Sequence, residues 1–462
     1  MEHGPIKAAH EVQPASIGIT PPTLGAAPTD GMHRLEDFYS FMPAGKYIFR
    51  PTGDLWSAKS VNASVPPKVR AGKPGEKPKI ISATSVLDRE RRVEQMTWAP
   101  GQPLVVEGKV VRDGGWIDEP NCAVFNRYVP PQDGTGDPAR AGSWVDHVKL
   151  IYPDEHHHII SWLAHRAQRP GEKINHALVL GGAQGIGKDT LLEPVKAAVG
   201  SWNFQEVSPQ NLLGRFNGFL KSVILRVSEA RDLGDFDRYT FYDHMKTYTA
   251  APPDVLRVDE KNVPEYAIFN VCGVIITTNH KSDGIYLPPD DRRHFVAWSE
   301  KSREYFTSDY WNNLYRWLAD GGREHVVAYL RSFDLSGFDA KAPPPKTAAF
   351  LAIVDSNRAP EQAELADALD QLNWPAATTL GEIAEAASLD FAEFLLDRRN
   401  SRKVPHRLEE SDYVKFRNAG ANDGLWKVKG RRVAIYVRKH LSQSEARDAV
   451  DGYLKKVVKS VK

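Results

Sequence analysis

Apolar positions change period several times along the chain, and each change predicts a different kind of element. From Leu35 to Tyr128 they fall in short aromatic runs between turn residues, and Lys46–Arg50, Leu104–Val106 and Cys122–Tyr128 read as strands. Pro66–Lys79 and Pro130–Gly142, dense in proline and glycine, read as loops. Trp144, Val148 and Ile151, then Ile159, Trp162 and Leu163, recur at helical spacing and predict an amphipathic helix from Trp144 through Arg166. A block of apolar strands alternating with helices follows. Its strands Ala177–Leu180, Ser222–Val227 and Val271–Thr278 are short, β-branched and bounded by polar or glycine residues, as buried parallel strands are. The triple proline Pro343–Pro345 marks a linker. Beyond it, helices are predicted near Thr379–Ala387 and Phe391–Arg398, and Leu425–Lys439 as a basic hairpin turning near Lys429–Gly430.

This pattern predicts a tail over 1–32, rich in Pro, Ala, Gly and Thr and expected to be disordered, then a mixed, β-rich N-terminal region over 33–140. A helical connector over 141–170 leads to an α/β core with a parallel sheet over 171–335. A linker region over 336–375 and a small winged-helix-like C-terminal module over 376–462 complete the chain. A length of 462 residues suits several domains, and 41% hydrophobic with 26% charged residues is a globular composition. No run approaches the roughly 18 apolar residues of a membrane span, and no basic stretch leading into an apolar core marks a secretory signal. Two cysteines, Cys122 and Cys272, exclude a disulfide framework and a cysteine-rich zinc finger, which suits a cytoplasmic location. The net charge of +1 does not announce a nucleic-acid binder. From Arg398 to Lys462, however, 18 Lys and Arg stand against 7 Asp and Glu, a local excess that can meet phosphate backbones or simply form a solvated face.

The candidate chemistry centres on Ala177–Leu192. An apolar strand runs into Gly182, Gly185 and Gly187, then Lys188 opens an apolar helix. Glycines let backbone N–H groups wrap around phosphate oxygens, the helix N-terminus adds its dipole, and Lys188 brings a positive charge to the β and γ phosphates. ATP and Mg2+ are therefore the expected cofactors. The position after the lysine usually supplies a hydroxyl for the ion; here it is Asp189, with Thr190 next, and either oxygen can take the role.

Downstream residues narrow the class. Glu229, at the end of the strand Ser222–Val227, can polarise an attacking water and assist the ion, with Asp232 a weaker substitute and Ser228 where many motors carry a second acid. Asn279 closes the strand Val271–Thr278 on an amide suited to sensing the γ phosphate. Arg292 and Arg293, on a proline-initiated turn, can reach a neighbouring subunit's nucleotide or pair structurally with Asp290 and Asp291. Asp254–Glu265 reads as a hairpin with Lys261 near its tip, either a plain surface hairpin or one that grips a DNA phosphate inside a ring.

In this order the motifs GGAQGIGKDT, SVILRVSEA, DEKN, VIITTNH and PPDDRRHF resemble the superfamily 3 helicases, and within them the primase-associated helicases of phages and prophages. The resemblance covers roughly 140–300. It implies an AAA+ or RecA-like P-loop core, a homo-oligomeric, typically hexameric ring, translocation on single-stranded DNA, and work alongside a separate primase. By the same analogy Lys188 binds phosphate, Glu229 activates water, Asn279 is the sensor, Arg292 or Arg293 the finger and Lys261 the DNA contact. Asp88, Glu90, Asp118 and Glu119 sit in turn-like or charged settings and do not read as a polymerase metal site. A nucleoside monophosphate kinase would explain Asp189 but not Asn279 or the basic C-terminal module. An ATP-switched, origin-binding initiator would use that module but has less need of Glu229. Two further features read as structural: consecutive His156, His157 and His158 diverge by about 100° each on a helix, and Trp56, Trp98, Trp116 and Trp144 read as core anchors.

Overall fold

The computed structural model describes residues 33–70, 78–228, 238–281, 285–356, 360–397, 400 and 403–459. The tail at 1–32 lies outside them, as do Glu229 and Asp232. The chain divides into two compact units, Met1–Val354 and Asp355–Lys462.

At the centre of the first unit is a five-stranded sheet in the order Phe204–Val207, Ile224–Val227, Gly273–Thr278, Ala177–Gly182, His294–Ser299, with every neighbouring pair parallel. The three strands read from the apolar runs occupy adjacent central positions. Ala177–Gly182 and Gly273–Thr278 are buried at every residue, as continuous β-branched sequence requires when both faces are covered. Parallel register places Gly181 beside Thr278 and Val227 beside Ile276, so the three strands end at one edge of the sheet. That edge is where open α/β sheets place their ligands.

The helix expected from Trp144 through Arg166 is two helices, Gly142–Ile151 and His156–Gln168. Pro153 cannot donate the backbone hydrogen bond a continuous helix needs there, and Tyr152 leaves helical geometry (φ −129°, ψ 72°). His156–Gln168 and Lys188–Val199 both pack against Arg323–Ser332. Fully buried Trp144 and Trp162 anchor this layer, Trp144 Nε1 donating to the Leu191 carbonyl (2.9 Å).

The N-terminal region holds a four-stranded sheet (Asp54–Trp56, Lys46–Phe49, Phe38–Phe41, Arg92–Val93) and a three-stranded one (Gln95–Thr97, Gly115–Asn126, Val105–Arg112). Phe41, Ile48, Met96 and Phe125 belong to the same hydrophobic core as the parallel sheet, so this region is a continuation of the first unit. Of the four tryptophans expected as core anchors, Trp98 and Trp144 are buried, Trp56 packs on Phe38 and Phe49, and Trp116 on Phe269. The loop expected at Pro66–Lys79 is in part a ribbon: Lys68–Arg70 pairs antiparallel with Lys79–Ile81, and residues 71–77 between them are not described. Its strands are too short and too exposed to show an apolar alternation.

The region 336–375, expected as linker, contains the helices Ala348–Ser356 and Pro360–Gln371. Phe350 and Ile353 are buried, so this stretch carries packed helix, and the division between the two units falls within it, after Val354. In the second unit, strands Ala377–Thr379, Ile435–Arg438 and Tyr413–Phe416 form an antiparallel sheet in that order. The basic hairpin is shorter than expected: Trp426–Val428 pairs with Arg431–Val433 through the turn Lys429 (φ 45°) and Gly430 (φ 77°), and Ile435 onward enters the three-stranded sheet instead. Among the described residues, no helix is long and apolar enough to cross a membrane.

Candidate phosphate-binding site

The strand Ala177–Gly182 delivers the chain to a loop that only glycine can trace. Gly182, Gly185 and Gly187 have φ of 137°, 81° and 94°. A Cβ on Gly187 would stand 2.6 Å from the His147 ring and from the Trp311 ring, so both space and conformation exclude a side chain there.

Lys188 opens the helix Lys188–Val199 and turns back under the loop. Its Nζ donates to the carbonyls of Gly182 (2.6 Å) and Ala183 (2.9 Å) and to Asn279 Oδ1 (2.7 Å). The predicted phosphate lysine and the predicted sensor amide are thus in contact, 91 positions apart in sequence. Burial pulls the Lys188 ammonium down to about 8; the Asp189 carboxylate opposes this and the Arg226 cation adds to it.

Asp189 and Thr190 both border the cavity, but in different states. The Asp189 carboxylate is exposed and ion-paired with Arg226, which also reaches Glu206 (3.3 Å) and Thr277 Oγ1 (3.3 Å). Thr190 is buried, its hydroxyl 3.0 Å from the Tyr315 hydroxyl. Both carry the hard oxygens a divalent ion takes, so the donor set fits Mg2+. The cavity measures about 510 Å³, and besides the loop its walls include Arg226, Asn279, Arg303, Trp311 and Tyr315.

Several of these residues carry no sequence signal strong enough to separate them from ordinary core. His147 sits beneath the loop, its Nε2 3.1 Å from the Gly187 carbonyl and its Nδ1 2.6 Å from the Tyr310 hydroxyl. Tyr310, Trp311 and Tyr315 come from the helix Ser308–Trp317. The run YWNNLYRW has an aromatic face at helical spacing, which was the only available clue.

The other sequence-derived residues lie apart from the cavity. The hairpin expected at Asp254–Glu265 is present as Val255–Glu260 paired with Val263–Phe269, and Lys261 is exposed at its tip beside Asn262 (φ 64°). The strand end next to that tip is anchored: Glu260 takes Lys221 Nζ at 2.6 Å, Arg127 Nη1 at 3.0 Å and the Tyr266 hydroxyl at 2.7 Å. Burial would raise the Glu260 carboxyl, but hydrogen bonds from Lys221 and Tyr266 outweigh it and hold the group below the usual carboxylate range.

Arg292 is exposed and Arg293 half-buried, and neither lines the cavity. The structural alternative, pairing with the adjacent acids, takes another form. Asp291 accepts from the backbone N–H groups of Arg293 (2.9 Å) and His294 (3.0 Å) and from the Tyr242 hydroxyl (2.8 Å). Among the described residues, neither arginine makes an ion pair with Asp290 or Asp291. Of the three consecutive histidines, His156 bonds the Pro153 carbonyl while His158 stacks on Phe295 and meets His176 at 3.0 Å. Among the described residues no group of three or more potential ligands gathers for a metal.

Comparison with known proteins finds similarity to a phage DNA primase-polymerase in sequence and to the NrS-1 C-terminal region in fold. A family model described as a family of unknown function (DUF5906) matches residues 180–293, the stretch from the loop to the arginine pair. A DNA primase-polymerase of Nitratiruptor phage NrS-1 is 26% identical over 159 residues, 34% of this chain, and the match spans 22% of the phage protein's length. The apo structure of the NrS-1 C-terminal region aligns over 87% of this chain and 95% of its own, with a TM-score of 0.57 at 15% identity. A second crystal form of that region aligns at a TM-score of 0.53 and 14% identity, over 87% of this chain and 96% of its own. The chain therefore has the fold of the NrS-1 C-terminal region and is related in sequence to the phage primase-polymerase.

Proposed function

We propose that this chain is an ATP-hydrolysing replicative DNA helicase of the phage or prophage type, which moves on single-stranded DNA as an oligomeric, hexameric ring alongside a primase. The observation that carries the reading is the contact between Lys188 and Asn279 at the carboxyl edge of a parallel sheet. Counted along the core, the strands lie in the order 2-3-4-1-5, and the loop after the first faces the strand end of the fourth. This order supports the AAA+ core that the motif succession implies.

The ammonium of Lys188 is held by three neutral oxygens. An anionic phosphate is a stronger partner for it, so the β and γ phosphates displace weak contacts rather than strong ones. The loop N–H groups and the start of the helix Lys188–Val199 face the same space. Bound Mg2+ would neutralise charge on the transferred phosphoryl group, with Asp189 and Thr190 on the loop side and Glu229 after the strand as its oxygen donors. Glu229 positions the attacking water, and Asn279, released from Lys188, orients toward the γ phosphate. Arg292, exposed, and Arg293, half-buried, lie outside their own chain's cavity and act on the nucleotide of an adjacent subunit. Lys261, exposed at the hairpin tip beside the anchored Glu260, contacts a DNA phosphate.

The second unit supports a DNA-binding role. Support for the winged-helix-like reading is that helices (Leu380–Ala386, Leu389–Leu396 and Lys403–Glu410) stand between the first and second strands of its sheet, and the hairpin Trp426–Val433 between the second and third. Lys427, Lys429 and Arg431 are exposed on that hairpin, as a phosphate-contacting wing requires. This also favours the origin-binding initiator as a second reading.

ATP hydrolysis measured with and without single-stranded DNA, in the wild type and in Lys188→Ala, tests the motor. DNA-stimulated turnover that disappears in the variant is expected. Binding of ATP with no turnover under any DNA condition would overturn the motor in favour of the initiator.

A further inference from the structure

Phosphate chemistry accounts for the loop side of the cavity but not for the wall opposite. There the helix Ser308–Trp317 presents Trp311 and Tyr315, one turn apart, with ring centroids 5.9 Å from each other and planes inclined by 25°. The stack is locked to the loop at both members. The Trp311 ring fills the space a side chain on Gly187 would need, and the Tyr315 hydroxyl meets Thr190 Oγ1 at 3.0 Å, two residues beyond Lys188. The helix itself is held by the Thr307 cap and by Tyr310, whose hydroxyl binds His147.

An aromatic face is a poor neighbour for polyphosphate, because its π cloud carries negative charge. It is a good neighbour for a flat heterocycle. Tyr315 is 53% exposed although it borders a cavity, so its ring is available for contact and is not needed to close the core.

We propose that Trp311 and Tyr315 form the nucleobase platform of this site, so that the base of a nucleoside triphosphate stacks on the exposed part of the pair while Lys188 holds the phosphates. The inference rests on the nucleotide-binding reading above and adds the subsite that distinguishes a nucleoside triphosphate from a bare polyphosphate. Stacking tolerates any base, since every base has a π face. ATP, GTP and CTP therefore bind within a few-fold of one another.

The test is calorimetric binding of ATP and of inorganic tripolyphosphate, with Mg2+ present, to the full chain and to Trp311→Leu and Tyr315→Ala. Trp311→Leu keeps apolar bulk against Gly187, and thermal melts check that both variants fold. We expect the wild type to bind ATP at least about 10-fold more tightly than tripolyphosphate, since stacking one base on an aromatic ring commonly contributes that much. In the variants that ratio falls toward one, because ATP affinity drops by more than tripolyphosphate affinity does. Equal wild-type affinity for the two ligands would overturn the platform and leave the phosphate site standing, as would a ratio preserved in both variants. Binding of neither ligand would overturn the nucleotide reading, and the platform with it.

Discussion

Lys188 ties nucleotide affinity to pH in a direction its environment dictates. In the free site burial lowers its ammonium to about 8, with only neutral oxygens as hydrogen-bond partners. A bound polyphosphate favours the charged form and raises that value, so binding above pH 8 requires a proton that the free site has lost. Affinity is therefore flat below pH 8 and falls as pH rises through it, by up to tenfold per unit until the phosphate-bound value is reached. Between pH 7 and pH 9.5 a group titrating at about 8 predicts a loss of about 30-fold, or ~2 kcal/mol. Asp189 and Arg226 are the charged side chains that act on Lys188, and they are ion-paired with each other. The assay is calorimetric titration with a non-hydrolysable ATP analogue from pH 7 to 9.5, in buffers of different ionisation enthalpy to count the proton directly. Lys188→Met supplies the baseline: its weaker binding should be independent of pH. Wild-type affinity that stays level to pH 9.5 with no proton uptake would refute the argument, because it would mean that Lys188 is not desolvated in the free site.

Three other outcomes follow from particular contacts. Gly187→Ala puts a Cβ at φ 94° and within 2.6 Å of His147 and Trp311, and should lower stability by about 1–3 kcal/mol and abolish ATP binding; an unchanged melting temperature would contradict the loop geometry. Lys261→Ala should weaken single-stranded DNA binding and reduce its salt slope by about one ion, with ATP affinity unaltered when the two are measured separately. Burial holds His158, His165 and His176 down to about 4, 3 and 3. Because a lowered histidine value means that the unfolded chain binds more protons, stability should be complete above pH 6.5 and lost as pH falls toward 4. At pH 5 this amounts to about 2 kcal/mol per histidine. Urea denaturation at pH 7 and pH 5 should show His158→Phe less acid-sensitive than the wild type.

What the sequence determined by itself was whatever depends on near neighbours. Three glycines with positive φ, an apolar strand before them and a lysine-led helix after them define Gly182–Lys188 within a dozen residues. Continuous β-branched runs located the three central strands for the same reason. The hairpin carrying Lys261 and the turn at Lys429–Gly430 were legible because turn residues act locally. The break at Pro153 was also written in the sequence, and the apolar periodicity on either side of it concealed it. The short ribbon at Lys68–Ile81 and the helices at 348–371 were not legible, the first for want of any apolar alternation and the second because proline signals dominate the surrounding region.

Only the tertiary structure decided what forms the rest of the site. Asn279 reaches Lys188 because parallel register aligns two strand ends, and Arg226 neutralises Asp189 from a third strand. Trp311 and Tyr315 wall the cavity from a helix after the sheet and His147 backs the loop from a helix before it, and nothing in their local spacing separates them from core aromatics. Local propensity is set by residues a few positions apart. A cavity wall is set by which buried faces must cover one another, and for this chain that brought together side chains 163 positions apart in the bond between His147 and Tyr310.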